Sequence, residues 1–324
     1  MRLVDERTVR ELLDYPTCVG LMEGALRALA SGKAVQPLRS VVRMPHRPIA
    51  LVTMPGALLE PAAVGLKVVS VLPSNRDLGR ASHQGFVALF DPADGTLAAF
   101  VDGTAITEIR TAAVSALATR LLARPEATRL TLLGSGAQAA AHVRALAATR
   151  TLDEIRVWDR RPERARALAG LLARDDLPVD ATEDREAAVR SAEILCTVSG
   201  SSAPIVDGSW LGPGIHINAV GASAPGAREL TTAAVARARV YVDRRESAWT
   251  EADDLRIPRD EGAIAPDHVV GELGELLLGQ VPGRRAPDEI TLFKSLGLAV
   301  EDLAAAQWVA REARSRGLGI DVRL

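Results

Sequence analysis

RLTLLGSGAQAAAHVRALAATRTLDEIRVWD, residues 129 to 159, reads as one complete β–α–β unit. An apolar run from Leu130 to Leu133 leads into Gly134-Ser135-Gly136-Ala137-Gln138-Ala139. An alanine-rich helix follows, and a second strand through Ile155, Val157 and Trp158 ends on Asp159. Glycines at this spacing, after a strand and opening a helix, form the dinucleotide-binding fingerprint of a Rossmann fold. Gly134 allows the tight turn, Gly136 lets backbone N–H groups approach a pyrophosphate, and Ala139 stands where helix and strand pack closely. Ala137 and Gln138 complete the loop, and the helix N-terminus adds partial positive charge for the phosphates. Asp159, twenty-five residues after Gly134, is placed to accept the adenosine ribose hydroxyls. Bound NAD(H) or NADP(H) is the expectation.

The rhythm continues downstream. Pro162 to Arg174 reads as a helix, Glu193 to Val198 and Gly214 to Val220 as strands, Arg228 to Ala238 as a helix, and Arg239 to Asp243 as a further strand. Strands alternating with helices imply a parallel sheet covered on both faces. Ligands of such sheets sit outside the carboxyl ends of the strands, so Thr197-Val198-Ser199 and Val220-Gly221-Ala222-Ser223 are expected to edge the cofactor crevice. The acids and prolines of Glu251 to His268 read as an exposed connection.

Upstream the texture changes. Short β-like runs (Ser40 to Arg43, Ile49 to Thr53, Val64 to Val71, Gly85 to Phe90, Thr96 to Val101) are punctuated by Pro73-Ser74-Asn75, Asp91-Pro92 and Asp94-Gly95, which predicts an antiparallel sheet or partial barrel. A helix from about Thr107 to Leu122 carries the chain into the Rossmann unit. A last helix, Ala299 to Arg314, follows a break at Gly297 and is expected to return to the first domain. The expected architecture is α/β, with a Rossmann domain of residues 112–298 inserted in a mixed α+β substrate-binding and dimerisation domain of residues 1–111 plus 299–324.

Composition narrows the function classes. With 324 residues, 48% hydrophobic and 25% charged, the chain has the balance of an ordinary globular protein of about two domains. A net charge of −2 offers no basic field, so nucleic acid is not an expected partner. No apolar run approaches the ~18 residues of a membrane span, and residues 1–30 carry acids throughout, so no membrane association and a cytoplasmic location are expected. The two cysteines, Cys18 and Cys196, cannot make a disulfide framework, and five histidines without HxxxH or HxH spacing give no metal site.

Longer strings carry a resemblance. SHQGFVALFDPADGTLAAFVDGTAITEIRTAAVSALAT (82–119), HINAVGASAPGAREL (216–230), YVD (241–243), ELGELL (272–277) and FKSLGLAVED (293–302) resemble the ornithine cyclodeaminase and mu-crystallin family. The resemblance implies a homodimer built through the N-terminal sheet domain. It also implies a choice among cyclodeaminases, reductases of cyclic ketimines, and alanine dehydrogenase-like enzymes.

Arg39 in QPLRSVV, Lys67 in GLKVVS and Arg110 in EIRTAA match the family's carboxylate-binding basic positions. A small α-imino acid is an anion, and fixed cations, preferably a guanidinium, suit its carboxylate. Beside two arginines the Lys67 pKa is expected to fall, which suits proton donation near an imine nitrogen. By resemblance Thr111, Thr197, Val198, Ser199, Val220 and Ser295 line the cofactor. The cyclodeaminase loop reads like GGDCPG, whereas this chain has serine, Ser223, at the aspartate's place. A neutral hydroxyl cannot act as a carboxylate base. NAD(P)H-dependent reduction of a cyclic ketimine, Δ1-pyrroline-2-carboxylate or Δ1-piperideine-2-carboxylate, is therefore preferred. Ornithine cyclodeaminase, an amino acid dehydrogenase, and a non-catalytic binding protein remain the alternatives. Arg160, Arg161 and Arg164 directly follow Asp159 and tilt the cofactor expectation towards NADP(H), with NAD(H) also used.

Overall fold

The computed structural model describes residues 1–72, 74–75 and 80–323. The chain divides into two compact units, Met1–Arg110 with Leu298–Leu324, and Thr111–Gly297.

The first unit opens with β1 (Arg2–Val4), α1 (Glu6–Leu12), α2 (Tyr15–Ala30), β2 (Ala34–Val35) and β3 (Ser40–Arg43). It continues through β4 (Ala50–Leu59), β5 (Ala62–Val71), β6 (His83–Phe90) and β7 (Leu97–Asp102) to α3 (Gly103–Leu122). Sequence reading passed over the first two helices, although Asp5 and Asp14 each cap one by accepting a backbone N–H three residues on. β4 to β7 form an antiparallel meander in which Met54 pairs with Lys67 and Lys67 with Val87. Asp91 and Asp94 close the last hairpin by accepting the N–H of Ala93 and Thr96, as the turn chemistry predicts. Of the predicted turn at 73–75, Pro73 lies outside the described residues.

The second unit contains β8 (Arg129–Leu133), α4 (Ala137–Ala147), β9 (Glu154–Trp158), α5 (Pro162–Leu172), β10 (Val179–Ala181), α6 (Arg185–Ser191) and β11 (Ile194–Thr197). There follow β12 (His216–Ala219), α7 (Thr232–Ala236), β13 (Arg239–Val242), α8 (Arg245–Glu251), α9 (Asp253–Asp260), β14 (Val269–Glu272), α10 (Leu273–Leu277) and β15 (Thr291–Lys294). Every pairing in this sheet is parallel, in the order β10-β9-β8-β11-β12-β15-β13-β14. Strand order reverses at β8, so the switch point for ligand binding lies at the carboxyl ends of β8 and β11. Its strands are apolar on both faces because helices cover both; Leu132, Ile155, Ile194, Leu195, Ile217 and Leu292 are fully buried.

Two expectations are corrected here. The helix predicted from Arg228 shrinks to α7, because Glu229 and Leu230 give their N–H groups to Asp254 instead of a helical ladder. The supposed exposed connection after Glu251 contains α9, whose Asp254 is fully buried.

The chain returns to the first unit as α11 (Ala299–Ser315) and β16 (Ile320–Asp321), the latter antiparallel to β1. Along the packed face of β4 and β5, Gly56 and Gly65 are register partners. A Cβ at Gly56 would lie 3.1 Å from Ala299 Cβ, and one at Gly65 3.0 Å from a Leu303 methyl. This seam lets α11 sit close on the sheet above Lys67.

Candidate functional site

The first unit gathers charge in its interior. Alternation along β5 puts Lys67 on the face shared by Gly65 and Val69, and it is 3% exposed. Its Nζ donates to Asp302 Oδ1 at 3.0 Å, and Arg110 Nε donates to the same oxygen at 2.9 Å. Arg110 Nη1 donates to Glu301 Oε2 at 2.9 Å. The first turn of α11 is fixed by Leu298 N–H donating to Glu301 and by Val300 N–H donating to Gln36 Oε1. Buried ions are tolerated when paired in this way.

Burial pushes the Lys67 ammonium down to about 8; Asp302 opposes that shift, while Arg110 and Arg39 add to it. The arginines foreseen as the cause are thus secondary to desolvation. Arg39, half-buried just before β3, completes the cluster. Lys67 and Arg110 thus meet Asp302 and Glu301 as a buried, paired cluster of two cations and two carboxylates.

The second unit brings the remaining candidates to the carboxyl edge of its sheet. Gly134 has φ +118, and a Cβ there would meet the Val198 carbonyl at 2.9 Å, so the turn after β8 lies against the end of β11. Gly136 is the N-cap of α4 with no side-chain cap, and the space where its Cβ would stand is open. Uncapped N–H groups beside open space fit a dinucleotide pyrophosphate. Ala137 is exposed, Gln138 half-buried, and Ala139 fully buried where the helix meets the sheet. Asp159 Oδ2 accepts from Ser135 Oγ at 2.7 Å and its Oδ1 from Arg161 N–H at 2.9 Å, which pins the carboxylate beside the glycine turn. The side chains of Arg160 and Arg161 are exposed and that of Arg164 half-buried.

One acid that sequence reading missed organises the loops beyond β11 and β12. Glu229 Oε1 accepts Ser199 N–H and Oγ at 2.7 and 2.6 Å; its Oε2 accepts Thr197 Oγ1, Gly221 N–H and Ala222 N–H at 2.8, 2.9 and 3.2 Å. Asp254 in turn accepts the N–H of Glu229 and Leu230 and pairs with buried Lys294 at 3.0 Å. Val198 and Val220 continue the ladder by donating to Leu133 O and Thr197 O, and Ser295 N–H donates to Ala219 O. Thr111 is buried in α3. The available signal was Glu229 as the lone acid between Gly221 and Leu230. Among the described residues, no group of three His, Cys, Asp or Glu side chains could hold a metal ion. No helix there is long and apolar enough to cross a membrane.

The ornithine cyclodeaminase/mu-crystallin family model matches residues 1–317. The chain belongs to this family. It is 38% identical over 291 residues to the ketimine reductase mu-crystallin of Mus musculus, covering 89% of each chain. The Δ1-pyrroline-2-carboxylate reductase of Thermococcus litoralis, solved with NADH and L-proline, superposes with a TM-score of 0.97 at 33% identity, covering 99% of this chain and 100% of that one. An archaeal alanine dehydrogenase dimer with bound NAD gives a TM-score of 0.94 at 29% identity, covering 100% and 99%. Ser223, the serine expected to separate this chain from the cyclodeaminases, is half-buried in the loop after β12. That loop is tied to α9 by Gly226 N–H donating to Asp253 Oδ2 at 2.7 Å.

Proposed function

We propose that this chain is an NAD(P)H-dependent reductase of cyclic ketimines, with Δ1-pyrroline-2-carboxylate or Δ1-piperideine-2-carboxylate as substrate and the cyclic L-amino acid as product. The observation that carries this reading is the buried cluster of Lys67 and Arg110 with Asp302 and Glu301, with Arg39 near enough to act on the Lys67 ammonium. Fixed ammonium and guanidinium groups held together in this way suit the carboxylate of a small α-imino acid.

Gly134, Gly136, Ala137, Gln138 and Ala139 hold the dinucleotide pyrophosphate, and Asp159 its adenosine ribose. Thr197, Val198, Ser199, Val220, Ser295 and Thr111 line the rest of the cofactor site. When bound, NAD(P)H supplies the hydride that reduces the imine carbon. Arg39 and Arg110 orient the substrate through its carboxylate. Lys67 Nζ gives a proton to the imine nitrogen, so the C=N bond becomes a C–N bond bearing hydride at carbon and a proton at nitrogen. An ammonium with a pKa near 8 is suited to this, being protonated at neutral pH yet willing to release its proton. Ser223 offers no base for deaminating an open-chain diamine, which separates this chain from the cyclodeaminase reading. Asp159, held by Ser135, serves NADH; Arg160, Arg161 and Arg164 serve the 2′-phosphate of NADPH.

The working form is a homodimer joined through the outer face of the first unit's sheet. Leu51, Val64 and Phe86 stand 44%, 38% and 37% exposed there, and Phe86 packs edge-on against Phe100. Both cysteines are buried and unpaired, in keeping with a reducing cytoplasm. The assay is NADH and NADPH oxidation with Δ1-pyrroline-2-carboxylate, beside proline formation from ornithine with NAD. Rapid oxidation with the imine and no proline from ornithine is expected; the opposite pattern overturns the reading.

A further inference from the structure

The chain has three lysines among 39 basic residues: Lys33, exposed and paired with Glu60, and Lys67 and Lys294, both buried against aspartates. Where arginine is so heavily used, a buried lysine marks a place that needs a compact, titratable ammonium rather than a permanent planar cation. Its partner is equally specific. Asp302 is fully buried, its Oδ1 takes both Lys67 Nζ and Arg110 Nε, and among the described residues its Oδ2 meets no donor. A half-satisfied carboxylate inside a core lowers stability, so its presence calls for a functional account.

We propose that Asp302 is the positioning residue of the proton donor: through one oxygen it holds the Lys67 ammonium in place and charged, and keeps Arg110 beside it. The inference rests on the reductase reading and adds to it a residue outside the carboxylate clamp. Among the described residues, the charged and titratable groups facing Lys67 are few. Asp302 and Glu301 come from α11, Arg110 from α3 and Arg39 from the segment before β3, with the Cys18 thiol of α2 near the same carboxylates. Its cross-strand partners, Met54 and Val87, carry no charge. Among the described residues, Asp302 is therefore the one carboxylate bonded directly to Nζ. Removing its charge lowers the proton affinity of Lys67, and lengthening its side chain displaces Nζ without removing the charge.

The experiment combines lysine side-chain NMR with pH–rate profiles on the full chain. With ε-carbon-labelled lysine only three signals arise, and a Lys67→Arg variant assigns the relevant one. In Asp302→Asn the Lys67 titration should move down by about one pH unit or more, with the basic limb of kcat/KM moving in parallel and NADH affinity unchanged. Asp302→Glu should leave the titration near that of the wild type and lower kcat by about tenfold or more. An unmoved titration in Asp302→Asn, a titration that moves without the basic limb, or wild-type kcat in Asp302→Glu overturns the proposal. The NMR titration needs no turnover, so it reads Asp302 even if wild-type protein reduces no ketimine, the result that would sink the reductase reading instead. If Asp302→Asn fails to fold, the kcat of Asp302→Glu decides.

Discussion

A lysine ammonium in a site that is 3% exposed pays for desolvation unless its neighbours return the energy, and at Lys67 they return only part of it. Two opposite pH trends follow. Between about 8 and the ordinary lysine value of 10.5 the unfolded chain binds more protons at this group than the folded one, so its contribution to stability rises with pH. With Lys67 as the proposed proton donor, kcat/KM should fall as pH rises through about 8, and a Lys67→Met variant should lose both that limb and most of kcat. A wild-type profile flat from pH 7 to 10 contradicts the donor role. At the other ligand, Arg160→Ala with Arg161→Ala should raise KM for NADPH by about tenfold and leave NADH nearly unchanged, since the loss of a charge-assisted phosphate contact is worth roughly 1.5–3 kcal/mol. Equal changes for both cofactors argue against it. Arg39, Lys67 and Arg110 could be singled out because motif and residue type agree, and the fold brings the three together. Asp302 could not be singled out, because an acid in the first turn of a helix has an ordinary use at the positive end of the dipole, and only the fold shows it turned onto Lys67.

At the scale of elements, alternation and turn chemistry located β5, β6 and β7 to within two or three residues, because each strand has one buried face and ends at an Asp, Pro or Gly. β4 was predicted only as Ile49 to Thr53, which stops before Pro55 and Gly56. The strand runs on because Pro55 faces outward and Gly56 lies under α11. α9 was missed for a related reason. Its acids and internal Pro258 look like loop, yet Asp254 spends its charge on Lys294 and on two loop N–H groups. The Gly56 and Gly65 seam predicts a stability effect that reaches the site. A Cβ at Gly65 would lie 2.1 Å from Ala88 O and press on Leu303, so Gly65→Ala should cost about 1–3 kcal/mol. By moving α11, it should also raise KM for the imino acid more than KM for NADH. Chemical denaturation and steady-state kinetics on one preparation check both; unchanged stability shows that the seam is looser than drawn.

For the molecule as a whole, the chain leaves its first unit at α3, builds a complete parallel sheet, and returns as α11 to set two acids over β5. That return is why the site's chemistry is split across residues 39 to 302, and why no single stretch of sequence displays it. The outer face of the first sheet offers its own test. Phe86→Asp puts a charge on the exposed apolar side of this sheet, beside Phe100, and should shift sedimentation from dimer to monomer, whereas an unchanged dimer places the interface elsewhere. Direct hydride transfer to a preformed C=N bond is tested by supplying NADH deuterated at the transferring carbon together with Δ1-pyrroline-2-carboxylate, and reading the product by mass spectrometry and NMR. Proline with one deuterium at the carbon bearing the carboxylate and one NADH consumed per proline is expected. Unlabelled proline, or no proline from the imine while ornithine is converted without net NADH consumption, contradicts it.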